Sequence, residues 1–196
     1  KALQSGSINF NDDYQLQSNI PISKFDKTKM SFIDKDSANV PFTTAFDTLA
    51  STIALRFEKT EKNTYKLEML PGTFTDLFGN VNDTLKYTLK TKEYSDYGNL
   101  RLNLINATYP VIVQLLDQKY EVKYERYSTK QEPLDFRNIN PASYFIRVIY
   151  DANQNGKYDS GSFLKKRQPE RVSYYPELYE IRASFDYIED FTLIKE

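Results

Sequence analysis

Nine consecutive residues carry the best case for chemistry in this chain: Asp151-Ala152-Asn153-Gln154-Asn155-Gly156-Lys157-Tyr158-Asp159. Oxygen side chains stand at positions one, three and five of the run, Gly at six and Asp at nine. With the backbone carbonyl of Lys157 at position seven, this is most of an EF-hand-type calcium loop. Calcium is a hard cation that takes six to eight oxygens, and short Asp and Asn side chains wrapped around a glycine turn can supply them. The bidentate Glu expected at position twelve is missing, since Ser162 stands there. Two carboxylates imply weak binding, in the ~10⁻⁴–10⁻³ M range of extracellular modules. The same residues also suit a metal-free turn whose Asp and Asn side chains accept from backbone amides. On either reading no cofactor is required, and the metal expected on the first is weakly held Ca2+.

Tyrosines form the second group. Tyr174 and Tyr175 stand beside Pro176, and Tyr179 follows. A ring with a polar tip can stack on a sugar or anchor a protein partner, so these three are the candidate ligand-binding residues. The carbohydrate reading requires them to line one exposed strip; the plainer reading is that tyrosine is simply a good strand residue. Lys165-Lys166-Arg167 offers three cations to a phosphate or an acidic partner, or else a solvated face beside Glu170. The carboxylate pairs Asp12-Asp13, Asp34 with Asp36, and Glu189-Asp190 lie in polar stretches. They read as loop charges rather than as the facing acids of a glycosidase.

Other chemistries are excluded by what the 196 residues lack. There is no Cys and no His. Thiolate metal sites, disulfide scaffolds, Cys nucleophiles and Ser–His triads therefore drop out together. Six Gly in the whole chain leave no glycine-rich phosphate loop. No catalytic residue is assigned, and the chain reads as a non-enzyme. Lys and Arg total 26 against 27 Asp and Glu, and residues 1–92 and 93–196 carry net charges of +1 and −2. Such balance supplies no general field for gripping nucleic acid or an anionic membrane. Apolar runs are only a few residues long, as in Val111-Ile112-Val113, far short of the ~20 of a membrane span. The opening at Lys1 reads as a fragment of a longer chain.

The elements that must position these residues are strands. Ile53, Leu55 and Phe57 alternate with Ala54, Arg56 and Glu58, and Tyr65, Leu67 and Met69 alternate with Lys66 and Glu68. Leu85, Tyr87 and Leu89 follow in the same style, as do Leu100, Leu102 and Leu104. Period two places each apolar set on one face, as a half-buried antiparallel strand requires. Residues 111–116, 120–124, 134–136, 144–150, 172–175, 179–181 and 188–193 complete the pattern. One helical suggestion, of a turn or two, comes from Phe46, Leu49, Ala50 and Ile53. The expectation is an all-β chain of two tandem antiparallel β-sandwiches, over residues 1–92 and 99–196, with a polar hinge at 93–98.

The first half carries Pro21-Ile22, Phe25-Asp26 and Lys29-Met30, then Leu70-Pro71-Gly72-Thr73-Phe74-Thr75-Asp76-Leu77-Phe78-Gly79-Asn80. These residues resemble the bacterial Ig-like domain of the SbsA type, whose last strand follows a turn of the form Asp-x-x-Gly-Asn. The run Phe136-Arg137-Asn138-Ile139-Asn140-Pro141-Ala142-Ser143-Tyr144-Phe145-Ile146-Arg147-Val148-Ile149-Tyr150-Asp151 is similar to carboxypeptidase-regulatory and Cna-B-type sandwiches. Those have a transthyretin-like (prealbumin-like) topology, and the departure here is Ala142 where Gly is usual, which makes the turn less free to adopt φ > 0. In tandem, and with Asp151 to Lys157 and Gln168-Pro169-Glu170, the halves resemble the C-terminal part of Ig-like surface lipoproteins of Gram-negative bacteria. The resemblance implies an exported protein of the outer membrane or cell surface, its signal peptide and lipid anchor lying outside these residues. It further implies a structural or protein-interaction module, an accessory subunit whose partner is an outer-membrane or surface protein. The alternative is a carbohydrate-binding or spacer appendage of a larger surface hydrolase. No nucleic acid is expected as a partner, and membrane contact is expected only through that anchor.

Overall fold

A computed structural model describes residues 1–4, 6–47 and 51–194. The chain divides into two units, Lys1–Glu93 and Tyr94–Glu196. Each is built almost wholly of strands, and the helical content of the described residues is two single 3-10 turns, Lys27–Lys29 and Tyr94–Asp96.

The first unit holds β1 (Tyr14–Gln17), β2 (Ile22–Phe25), β3 (Met30–Ile33), β4 (Phe42–Asp47), β5 (Thr52–Phe57), β6 (Thr64–Met69), β7 (Phe74–Asp76) and β8 (Leu85–Lys90). Its sheets run β1-β5-β4 and β3-β6-β8, with β2 and β7 as a separate ribbon, and every pair of strands is antiparallel. The alternating residues of β5 and β6 turn Ile53, Leu55, Tyr65, Leu67 and Met69 into one shared core with Tyr14, Leu16, Phe32 and Leu89. Phe32 and Phe57 meet at 4.8 Å between ring centres, and Phe57 meets Tyr65 at 5.0 Å, so aromatic edges join the two sheets. Phe46 and Ile53 do not share a helix: they lie opposite one another on the antiparallel strands β4 and β5. Leu49 and Ala50 lie outside the described residues. β-Branched Thr43, Thr44 and Thr52 favour this pairing over a helical turn.

The Asp76 turn shows why its residue types are needed. Asp76 Oδ1 accepts from the amides of Phe78 and Asn80 at 2.8 and 2.9 Å, and Asp76 Oδ2 accepts from Asn80 Nδ2 at 3.0 Å. The Asn80 side chain, together with the surrounding amides, holds this carboxyl below the usual aspartate value. Gly79 takes φ +84, while Asn80 does not need the left-handed region.

The second unit holds β9 (Gly98–Ile105), β10 (Val111–Leu116), β11 (Val122–Ser128), β12 (Leu134–Ile139), β13 (Ala142–Tyr150), β14 (Val172–Tyr174), β15 (Tyr179–Ile181) and β16 (Asp186–Thr192). One sheet runs β11-β10-β13-β14, with β15 beside the first residues of β13; the other runs β12-β9-β16. Its pairs are antiparallel except β9 with β16, which are parallel. Leu100, Leu102 and Leu104 face Val111, Val113, Leu115, Ile146 and Val148 across the core. β10 is buried along its whole length. Its one polar residue, Gln114, is satisfied by accepting from Arg147 Nε at 2.9 Å and donating to Glu125 at 2.6 Å.

The step from β12 to β13 changes sheets at Asn140. Tyr124 Oη accepts from the Asn140 amide at 2.9 Å, and Tyr144 Oη donates to the Asn140 carbonyl at 2.8 Å. Two tyrosines thus pin this corner, so Ala142 completes it without a left-handed conformation; Asn138, inside the bulge of β12, takes φ +54 instead.

Candidate functional site

β13 ends at Tyr150, and the next residue, Asp151, is the pivot of the 151–171 loop. Only 1% of Asp151 is exposed. Its Oδ1 accepts from the Asn155 amide at 3.1 Å and its Oδ2 from the Gly156 amide at 2.7 Å. Gly156 allows the chain to double back with φ +72. Asn153 and Asn155 act next: their Oδ1 atoms accept from the amides of Asn155 and Lys157 at 3.1 and 2.7 Å. Their Nδ2 atoms converge on a single oxygen, Asp159 Oδ2, at 2.5 and 2.6 Å. Those two hydrogen bonds, helped by Arg167, hold the Asp159 carboxyl below the usual aspartate value.

Glu170 closes the loop. Its Oε1 accepts from the Ala152 amide and its Oε2 from the Asp159 amide, both at 3.0 Å. One carboxylate therefore joins the two ends of the nine-residue run from eleven residues downstream of Asp159. Sequence reasoning missed this role; the only signal was the Gln168-Pro169-Glu170 string itself. Four of the five predicted metal-site residues, Asp151, Asn153, Asn155 and Asp159, are brought together by side-chain hydrogen bonds. Lys157 enters through its amide. Among the described residues no three Asp or Glu side chains gather as a metal cluster. The donor set is two loop carboxylates and two carboxamides, and half a turn of each carboxamide would exchange Nδ2 for Oδ1 toward Asp159.

The tyrosines are dispersed differently from the expected strip. Tyr174 is exposed, and its hydroxyl lies 3.5 Å from Arg147 Nη1. Tyr175 and Tyr179 are only half-exposed and pack on the core of the second unit. Their rings meet edge to face at 5.8 Å, Tyr175 touches Phe191 at 5.3 Å, and Tyr179 touches Tyr187 at 5.7 Å. Both hydroxyls donate to one carboxylate, Glu189, at 2.7 and 3.2 Å. The reason is strand alternation: neighbours on an extended chain point to opposite faces, so Tyr174 turns outward and Tyr175 inward. Glu189, read from sequence as a loop charge, lies in β16 on the face shared with Tyr187 and Phe191.

The hydrogen bond to Glu189, then burial, pushes the Tyr175 hydroxyl up to about 12. A group whose value is raised on folding contributes stability below its unfolded value and loses it as pH climbs through the folded one. Stability is therefore expected to fall between the ordinary 10.0 and about 12. Urea melts across that interval check it, and Glu189→Gln should flatten the slope; a wild-type profile already flat there overturns the assignment.

No family model matches this chain, and no curated protein matches it. Among solved structures it is similar to the Bacillus anthracis TIE protein, at 10% identity and a TM-score of 0.32, over 98% of this chain and 39% of that one. It is also similar to the major pilin subunit of Bacillus cereus, at 12% identity and a TM-score of 0.29, over 96% of this chain and 67% of that one. This chain thus spans well under half of the first protein. Likenesses of this size assign it neither an activity nor a partner.

Proposed function

We propose that this chain is a non-enzymatic, protein-binding part of an exported bacterial surface protein, lipid-anchored at the outer membrane, and that a partner docks along β16. The observation that carries the docking site is the free edge of that strand. β16 pairs with β9 over seven residues, from Asp186 with Asn99 to Thr192 with Ile105, and its other side meets no strand among the described residues. Asp186 and Asp190 are drawn back to β9 by Asn99 and Asn103, each at 2.7 Å, and Ile188 between them is 73% exposed. Two other edges of this unit, β14 and β12, are guarded. β14 is three residues long, and β12 carries a bulge while its Asp135 carbonyl accepts from Arg126 Nε at 3.1 Å. A partner strand added to β16 would gain main-chain hydrogen bonds, with Ile188 as an apolar contact. The surface and lipid-anchor part of the reading rests on the resemblance of the two halves in tandem, together with residues 151–157 and 168–170.

A photo-cross-linking amino acid in place of Ile188, in the full-length protein in its own cells, tests the docking edge. The expected result is one discrete protein adduct from position 188 and none from Lys123 on β11. No adduct, or equal adducts from both positions, overturns it.

The convergence of Asn153, Asn155 and Asp159 favours a second, accessory proposal: the 151–159 loop takes Ca2+ weakly through Asp151, Asn153, Asn155, Asp159 and the carbonyl of Lys157. Bound there, the cation would brace the loop rather than take part in a reaction.

A further inference from the structure

Beyond the docking edge, the 162–167 hairpin presents an arrangement that its own unit does not use. Ser162 and Arg167 close it with reciprocal backbone hydrogen bonds of 2.8 and 3.0 Å, and the Lys166 amide donates to the Phe163 carbonyl at 3.1 Å. At the tip stand Phe163 and Leu164, 96% and 94% exposed, followed directly by the exposed Lys165 and Lys166. The base is tied down. Arg167 reaches Asp159 Oδ1 and the Ser160 carbonyl, each at 3.4 Å, and Gly161 fits so closely that a Cβ there would lie 2.9 Å from the Arg167 carbonyl and from Pro169.

Two large apolar side chains held in water are costly unless something covers them. The local charge names what that is. Residues 151–171 hold five basic and three acidic side chains, and the three acids, Asp151, Asp159 and Glu170, are all engaged by groups of the loop itself. The outward charge of the hairpin is therefore basic, although the whole chain is nearly neutral. A protein groove would need to match the shape of two side chains that nothing around them orients. A fluid interface needs no such match: it takes up an apolar tip, while lysines beside it reach anionic headgroups. We propose that Phe163 and Leu164 insert into an anionic lipid surface, with Lys165 and Lys166 on its headgroups.

The chain contains no Trp, so Phe163→Trp gives a single tryptophan at the tip, excited at wavelengths that its 16 Tyr do not absorb. Vesicles of phosphatidylcholine alone and of phosphatidylcholine with phosphatidylglycerol are the two surfaces to compare. The expected results are a blue shift with the anionic vesicles only, and co-sedimentation of the wild-type chain with them. Phe163→Ser with Leu164→Ser should weaken that binding at least ~tenfold, and Lys165→Ala or Lys166→Ala about fivefold each, with unchanged melting temperatures. No wild-type co-sedimentation, or equal binding by the double serine variant, overturns the proposal. So does a tip that cross-links to a protein in cells while ignoring vesicles, which would reassign it to a protein partner.

Discussion

Gly98→Val is expected to destabilise the second unit by about 3 kcal/mol, the upper part of the range for overfilling a packed site. Gly98 opens β9, is buried, and stands opposite Ile139 on β12. A Cβ built on it would lie 2.5 Å from the Arg182 carbonyl and 2.6 Å from Ile181 Cγ2. The first of these atoms is backbone, so no side-chain rotation relieves the clash. Nor can the segment between β15 and β16 move aside at low cost. The Asn99 amide donates to the Phe185 carbonyl at 2.9 Å, the Ser184 amide to the Tyr97 carbonyl at 2.9 Å, and Ser184 Oγ to the Ser95 carbonyl at 2.8 Å. The same turn leads into β16, so the substitution should also loosen the parallel pairing that forms the proposed docking edge. Thermal melts followed by near-ultraviolet circular dichroism check it: a fall of ~10–20 °C is expected for a unit of this size. A shift within experimental error would show that the 181–185 segment yields, and that the β9–β16 pairing does not depend on it.

Sequence alternation and the structure agree best where many apolar residues repeat. β9 and β13 were legible because Leu100, Leu102 and Leu104, and Tyr144, Ile146 and Val148, each repeat three times on one face. β1 offers only Tyr14 and Leu16, too short a run to separate from a loop. Phe46 and Ile53 suggested a helix because spacing alone does not say whether a chain turns between two apolar residues. Period two says which face a residue occupies but not which strand lies beside it, so the parallel partnership of β16 with β9 was invisible. The same limit governs the sites. Hydrogen bonding by Asp76, Asp151 and Asn155 is local, within five residues, and could be read from residue types. The Glu170 clamp and the sharing of Glu189 by Tyr175 and Tyr179 span ten residues or more, and only the fold brings them together.

Asp151→Ala is expected to cost the second unit about 2 kcal/mol, and to do so whether or not a metal binds. The carboxylate is buried and accepts from the Asn155 and Gly156 amides; alanine leaves both donors without that partner, at ~1–3 kcal/mol for a buried donor and less for one that water can reach. Asp151→Asn retains one good acceptor and should lose less. Calcium separates the turn from the metal site. If Asp151, Asn153, Asn155 and Asp159 bind it, calcium at ten times its dissociation constant should stabilise the wild type by about 1.4 kcal/mol. Asp159→Asn, which removes the charge on which Asn153 and Asn155 converge, should abolish most of that gain. The melting curves need calcium in the millimolar range, because weak affinity is what two loop carboxylates predict. Superimposable wild-type curves with and without calcium would remove the metal and leave Asp151 as the acceptor that folds the turn. Loss of stability in Asp151→Ala without loss of the calcium effect would instead place the cation elsewhere. The proposed reading therefore requires both effects to fall on the same loop.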